Sequence, residues 1–196
     1  MSGRPAPATE LWTPRLHLRR WRDDDRSPFA AMNADPSVME LFPSTMTRAE
    51  SDALVDRIEG SFQDQGLGLW AVEVRDIAMF AGFVGLLRPT FEAAFTPAVE
   101  VGWRLAAETW GRGFATEAAG ASLIDGFDRL GLEEIVSFTW EGNERSRRVM
   151  AKLGMTHDPA DDFDHPRVPE GHRIRRHVLY RKSAPLADLN PGRGAQ

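Results

Sequence analysis

The chain contains no cysteine. That excludes disulfides, thiolate metal sites and a cysteine nucleophile together, and it fits a reducing, cytoplasmic compartment. Tyrosine is nearly absent: Tyr180 is the only one. No apolar run approaches the roughly 18 residues that a membrane span needs, so no membrane association is expected. The opening MSGRPAPATE lacks the apolar h-region of a signal peptide. Positive charge is in deficit, with 24 Lys and Arg against 29 Asp and Glu and a net charge of −5. That balance argues against a nucleic-acid partner. No internal repeat or low-complexity block interrupts the chain.

What is present reads as one domain. A chain of 196 residues can bury a real core, and 42% hydrophobic with 27% charged residues is ordinary for a globular protein. Residues 1–10 read as a disordered lead, 11–183 as the folded domain and 184–196 as a disordered polar tail. In Leu16–Trp21, apolar Leu16 and Leu18 alternate with His17 and Arg19, which predicts a first strand. Ser27-Pro28 reads as a helix start, with Ser as cap and Pro at the first helical position. Asp35-Pro36 closes that helix. Thr47 through Glu50 form a capping box that opens a helix to about Gln65.

Trp70–Val74 and Met79–Leu87 then read as two strands, and 91–97 as a loop rich in Phe and Ala. Val99–Leu105 is the next strand, Glu117–Leu130 an amphipathic helix, and Ile135–Trp140 a strand again. Asn143 caps a further helix that stops at Gly154. Asp158–His172 reads as a long polar loop and Ile174–Tyr180 as the last strand. Strands and helices mixed in this order predict an α/β sheet with both faces covered.

The chemistry concentrates in Val99–Ala118, VEVGWRLAAETWGRGFATEA. A strand runs into a turn with two glycines and then directly into a helix. The N–H groups at a helix start lack intrahelical partners, and the helix dipole adds positive charge, so such a turn suits phosphate. Gly111 and Gly113 make neither a Walker loop nor a dinucleotide fingerprint, because the following Lys-Ser/Thr and the third spaced glycine are missing. Alone, the pair is equally compatible with a plain connecting turn.

A second segment, Ile135–Met155, adds to it. Trp110-Gly111-Arg112-Gly113-Phe114-Ala115 resembles the Gln/Arg-x-x-Gly-x-Gly/Ala loop of the GNAT superfamily of acyl-CoA-dependent N-acyltransferases, with Trp110 where Gln or Arg is usual. Asn143-x-x-Ser146 followed by Lys152-Leu153-Gly154-Met155 resembles that family's second acyl-CoA motif. Thr13-Pro14-Arg15-Leu16 with Leu18-Arg19 resembles the opening strand of the branch that includes the ribosomal-protein N-terminal (alanine/serine) acetyltransferases. The resemblance spans about residues 13–182.

The resemblance implies a single-domain acyl-CoA N-acyltransferase fold: a mostly antiparallel central sheet, helices on both faces, and a splayed strand pair. It implies acetyl-CoA as cosubstrate and no metal. The backbone of Trp103, Arg104 and Leu105 would pair with the pantetheine arm as an added strand does. Trp110, Gly111, Arg112, Gly113, Phe114 and Ala115 would cradle the pyrophosphate. Gly113 permits close approach, and Arg112 is either a phosphate contact or a solvated surface charge. Glu100, on the strand face opposite Val99, Val101, Trp103 and Leu105, resembles by position the glutamate that some members use as base. The bland alternative is a structural carboxylate paired with Arg104 or Arg88. Ser146 would protonate the leaving thiolate or merely bond locally in its helix. Asn143 would contact pantetheine while capping. Tyr180 does not match the tyrosine that many members use as acid.

Residues 161–177, DDFDHPRVPEGHRIRRH, are the least ordinary stretch. Asp162, Asp164 and His165 are metal-ligand types, but their spacing fits no standard site. His165 is kept as a substrate-site residue because imidazole titrates near neutral pH. The activity expected is transfer of an acetyl group to a primary amine by direct attack in a ternary complex. The acceptor is a protein N-terminus or a small amine, and the protein a monomer or homodimer. The alternative is a non-catalytic acyl-CoA sensor or interaction module on the same fold. Phe80, Phe83, Phe91 and Phe95 suit core, lid or dimer surface equally.

Overall fold

A computed structural model describes residues 10–185. The expected lead and tail lie almost wholly outside the described residues. Among these, nine strands form one sheet in the order β1-β2-β3-β4-β5-β6-β9-β7, with β8 also paired to β9. The strands are β1 (Glu10–Trp12), β2 (Leu16–Arg19), β3 (Leu69–Val74), β4 (Gly82–Leu87), β5 (Glu100–Leu105), β6 (Glu134–Trp140), β7 (Thr156–His157), β8 (Phe163–Asp164) and β9 (Arg176–Ser183). The helices are α1 (Arg26–Ala34), α2 (Pro36–Met39), α3 (Arg48–Gln65), α4 (Phe114–Asp128) and α5 (Glu144–Lys152). All pairings are antiparallel except β5 with β6. This is the expected mixed, mostly antiparallel α/β architecture.

Local chemistry explains most element ends. Thr47 Oγ1 accepts from the Glu50 N–H at 3.3 Å, and Glu50 Oε2 accepts from the Thr47 N–H at 2.7 Å. Gly66, at φ 70°, closes α3 in the left-handed conformation that glycine adopts without strain. Helices cover both sheet faces. Phe83 of β4 meets Phe29 of α1 at 5.9 Å between ring centroids. Leu86, on the opposite face of the same strand, lies against Gly126 of α4, where a methyl group would approach it to 3.0 Å.

Several boundaries depart from the sequence reading: Glu10, expected in the lead, opens β1, and the last strand, expected over 174–180, runs Arg176–Ser183. The first helix starts at Arg26, entered from a 3-10 turn over Asp23–Asp25, so Ser27 is inside it and caps nothing. The N–H groups there are approached through Asp25, whose Oδ2 accepts from the Arg22 N–H at 2.8 Å. Strand β4 begins at Gly82, because residues 75–78 turn the chain back onto Val74. Helix α4 begins at Phe114, three residues before the expected start, directly after Gly113. The stretch expected as loop over 158–172 includes the two-residue strand β8. Phe83 is core, and Phe80 packs on Trp21 and Phe29. Phe91 and Phe95 join a separate aromatic group with Phe138 and Phe163.

One buried ion pair ties the first strand to the first helix. Arg19 donates to both oxygens of Asp25, at 2.6 and 2.8 Å, and to the Met79 carbonyl at 3.0 Å. Both side chains are buried. The hydrogen bonds to Asp25 hold the guanidinium pKa above its ordinary value despite burial. Removing one partner leaves a buried charge without its counterion. Asp25→Ala is therefore expected to cost about 3 kcal/mol of folding free energy. Urea denaturation measures this, and a loss under about 1 kcal/mol would show that Glu73, 3.2 Å from Arg19 Nε, suffices alone.

Candidate active site

The site begins where the sheet comes apart. β5 and β6 share one ladder pair, Glu100 with Val136, and the Val136 N–H donates to the Val99 carbonyl at 2.9 Å. Beyond that point the two strands diverge. Backbone direction alternates along a strand, so the main-chain groups of Val101, Trp103 and Leu105 face β6, and those of Gly102 and Arg104 face β4. The register of Arg104 with Phe83 and the Ala106 N–H to the Ala81 carbonyl at 2.9 Å agree with this. The expectation for the pantetheine contact is thereby narrowed. Trp103 presents free main chain to the cleft. The Leu105 carbonyl already accepts from Trp110 Nε1 at 2.8 Å, leaving its N–H. The Arg104 main chain pairs with β4, so only its side chain reaches the site.

A cavity of about 850 Å³ fills the opening. Its lining includes Glu100, Gly102 and Trp103–Leu105 on β5, the 110–116 turn, Phe138–Trp140 on β6, Asn143 and Ser146 at the start of α5, and His165 and His177. The volume lies in the range of small-molecule and cofactor sites. All the sequence-predicted site residues except Arg112 border it. Arg112 sits at the turn beside them, exposed, with its guanidinium 5.1 Å from the Phe114 ring centre.

The glycine turn has the geometry of an anion cradle. Gly111 and Gly113 adopt φ 74° and 83°, and Gly113 is the N-cap of α4 with no side-chain cap bond. The first N–H groups of the helix therefore lack a side-chain partner. The turn is braced from behind. Glu117 Oε1 accepts from Thr13 Oγ1 at 2.6 Å and from the Arg15 N–H at 2.9 Å, and its Oε2 accepts from Arg15 Nε at 2.6 Å. Arg15 Nη1 also donates to the Arg112 carbonyl at 3.0 Å. Burial pushes the Glu117 pKa up, but these hydrogen bonds together hold it below the usual value. Thr13 and Arg15 thus act as buttresses of the turn.

Opposite the turn, Arg145 lies 4.2 Å over the Trp110 ring, and Arg148 and Lys152 also line the cavity. Arg145 and Arg148 escaped the sequence reading, and Lys152 was read only as part of a motif, although their three- and four-residue spacing on one helix was a usable signal. Asn143 caps α5 through its Oδ1, which accepts from the Ser146 N–H at 3.2 Å. Its Nδ2 donates to Thr139 Oγ1 at 2.8 Å and to Ser146 Oγ at 3.0 Å. Ser146 Oγ is thus an acceptor here, and its own hydrogen stays available to donate.

Glu100 stands at the vertex of the strand opening. Neither Arg104 nor Arg88 forms an ion pair with it, so the structural-carboxylate alternative fails on those partners. Its side chain is half-buried and borders the cavity. Desolvation by the surrounding protein pushes its pKa up to about 8. His165 and His177 lie 4.9 Å apart between ring centres on the same cavity wall. Burial, then the neighbouring His177 and Arg167 charges, push His165 down to about 4. Burial also lowers His177. Both imidazoles are consequently neutral at pH 7. Among the described residues, no group of three or more His, Asp or Glu could hold a metal ion. No helix among them is long and apolar enough to cross a membrane.

A strand opening over a glycine-cradled helix start is the arrangement of an acyl-CoA-dependent acyltransferase. Residues 15–156 match a family model described as acetyltransferase (GNAT) domain. Over 148 residues the chain is 30% identical to the uncharacterized protein YkkB of Bacillus subtilis (strain 168), covering 75% of this chain and 85% of that one. Among solved structures, an acetyltransferase (GNAT family) from Bacillus anthracis superposes with a TM-score of 0.71 at 22% identity, covering 89% of this chain and 98% of that one. A ribosomal-protein-S5-alanine acetyltransferase from Vibrio fischeri gives 0.71 at 16% identity, covering 90% and 97%. The chain belongs to the GNAT acetyltransferase family and is an N-acetyltransferase; the family uses acetyl-CoA as cosubstrate.

The cradle fits that cosubstrate, because a Cβ at Gly113 would need a left-handed backbone that side chains resist, within 3.4 Å of Arg15 Nη2. Gly113→Ala is expected to weaken acetyl-CoA binding about tenfold, or about 1.4 kcal/mol. Isothermal calorimetry checks it, and an unchanged Kd would show that the 111–115 amides are not the phosphate ligands.

Proposed function

We propose that this protein moves the acetyl group of acetyl-CoA onto a primary amine by direct attack in a ternary complex, with Glu100 as base. The observation that carries this is a desolvated carboxyl with no ion-pair partner, set on the cavity wall at the vertex where the sheet opens. Its pKa of about 8 suits a group that must take a proton from an ammonium near neutral pH. The thioester supplies an acyl carbon already activated for attack. Glu100 removes the ammonium proton, directly or through one water, and frees the nitrogen lone pair. Ser146, whose hydroxyl hydrogen is free to donate, protonates the departing sulfur and takes up in exchange the second proton that the nitrogen loses as the amide forms. Trp103 main chain and the Gly111–Ala115 amides hold the cosubstrate in register. His165 and His177, both neutral, form a wall of the acceptor end. The acceptor is a protein N-terminus or a small amine, and a cytoplasmic setting fits the cysteine-free composition.

Two consequences separate a catalytic carboxyl from a structural one. The base works only when ionised, so kcat/KM should rise with pH up to about 8 and level off above it. Glu100→Gln should lower kcat about 100-fold and flatten that limb in a thiol-release assay. A variant that keeps the limb removes Glu100 from the mechanism. Stability carries the opposite sign. A folded-state pKa raised above the unfolded value gives stability that is lost as pH rises from about 4.5 through about 8. Glu100→Gln should therefore raise Tm by a few degrees at pH 9 and change it little at pH 5. An equal Tm shift at both pH values would show that Glu100 is not desolvated in solution.

A further inference from the structure

The face of β5 that carries Glu100 carries a second charge. Alternation puts Glu100, Gly102 and Arg104 on one face, with Glu100 and Arg104 Cα atoms about 13 Å apart along the strand. Gly102 between them has no side chain. A methyl group built there would lie 3.4 Å from Leu87 Cδ2 and 3.6 Å from Glu100 Oε1. The floor of the cavity is thus continuous from carboxyl to guanidinium.

Arg104 is held without an anion. Its Nη1 donates to Asn33 Oδ1 at 2.7 Å and approaches Met46 Sδ at 3.7 Å. Asn33 in turn donates from Nδ2 to Ser51 Oγ at 2.8 Å. Phe42 and Phe83 lie against the guanidinium, 4.1 and 5.4 Å from its centre to theirs. Its Nε has no hydrogen-bond partner. No carboxylate of the described residues lies within ion-pair distance of it. Burial lowers its pKa to about 10, which still leaves it charged at pH 7. A buried cation without a counterion is costly. Arg19, the most buried arginine of the sheet, has a carboxylate partner. Arg145, Arg148 and Lys152, which also line the cavity, project from α5, opposite β5.

We propose that Arg104 is the specificity residue for the acceptor: it binds an anionic group, a carboxylate by preference, on a small molecule whose amine sits at Glu100. This rests on the acetyltransferase reading above and names the acceptor class for the same site. The charges complement each other. An amino carboxylate places its ammonium beside the carboxyl that must deprotonate it and its anion beside Arg104, the cation on the same face of β5, which has no carboxylate partner; Arg167, on the 158–177 segment of the same cavity, is exposed and donates to the Thr90 carbonyl and hydroxyl. Phe42, Phe83 and Leu87 supply an apolar wall for the methylenes between. A plain alkylamine leaves Arg104 uncompensated and pays its desolvation without return. The neutral backbone following a protein N-terminus does the same.

The test compares short ω-amino acids with plain alkylamines of the same length and with neutral peptide N-termini, by thiol release. The wild-type protein should favour the ω-amino acids at least about tenfold in kcat/KM. Arg104→Gln should bring them down to the alkylamine level, and Arg104→Lys should restore part of the preference. The acetyl-CoA Kd of both variants serves as the fold check. In the wild type, alkyl carboxylates without an amine should compete with the acceptor, a readout that needs no variant. Equal rates for alkylamines, preference for neutral peptides, or an undiminished preference in Arg104→Gln overturns the proposal. So does failure of alkyl carboxylates to bind the protein–CoA complex by calorimetry. Failure of acetyl-CoA itself to bind overturns the reading of the cosubstrate site instead, and carboxylate binding to the free protein then judges Arg104 separately.

Discussion

The single pairing of β5 with β6 is the constraint on which the rest of the structure depends. A sheet that stayed closed would satisfy the main chain of Trp103 and Leu105 with β6 and leave no room for a ligand. Opening it exposes backbone groups that must find partners. The fold answers part of this internally, since Trp110 donates its indole N–H to the Leu105 carbonyl. The main chain of Trp103 stays open to the cleft, where the proposed cosubstrate would pair with it. The same opening sets the order of the site along the chain. Glu100 falls at the vertex, the free strand follows, and the glycine turn lies at the strand's far end. Cosubstrate geometry is therefore a consequence of strand geometry, with few side chains required.

The vertex also explains why the pKa of the proposed base is raised. Strands still pair at Glu100, so protein flanks the half-buried side chain and removes part of its water. No cation is placed close enough to restore the charge. The result is a carboxyl that folding disfavours in its ionised form and that an approaching ammonium can use. Stability is given up at the position proposed for the base. Arg104 shows the same device with opposite sign. Asn33 and two aromatic rings hold it in place, but no carboxylate neutralises it. Arg19, by contrast, is fully buried, with Asp25 and Glu73 against it. Arg104 is half-buried on the cavity wall and has no such counterion, which is what the proposed binding role rests on.

Much of the fold was legible because local chemistry decided it. The Thr47–Glu50 box, the Asn143 cap and the stop at Gly154 each rest on interactions within a few residues. The errors arose where tertiary structure overrode local preference. Ser27-Pro28 is a good start signal, yet Asp25 is drawn inward by Arg19 and starts the turn earlier. The start of α4 moved to Phe114 because Gly113, at positive φ, serves as the cap itself. Within the site, motif residues at Gly111–Ala115 and Asn143–Ser146 could be read directly. The role of Arg15 and Thr13 could not, because Glu117 lies about a hundred positions away in the chain and the contact exists only once β2 meets α4. Arg104 was read for its main chain when its side chain is what reaches the cavity, an error of one position in strand alternation.

This contrast follows from how the two ends of the cavity are built. The cosubstrate end is read by backbone: amides at a helix start and a strand edge. Backbone sites demand glycine at fixed places, and glycine at fixed places is visible as a motif. The proposed acceptor end is lined by side chains from α2 and the segment after it, β4, β5, β6 and the 158–177 segment, which share no spacing. Any one of these can change without disturbing the sheet opening. A family built this way keeps its cosubstrate and exchanges its acceptors, so the acceptor must be argued from charge and burial in the individual molecule. Here that argument rests on one unneutralised guanidinium, separated from the base by a glycine that keeps the floor between them open.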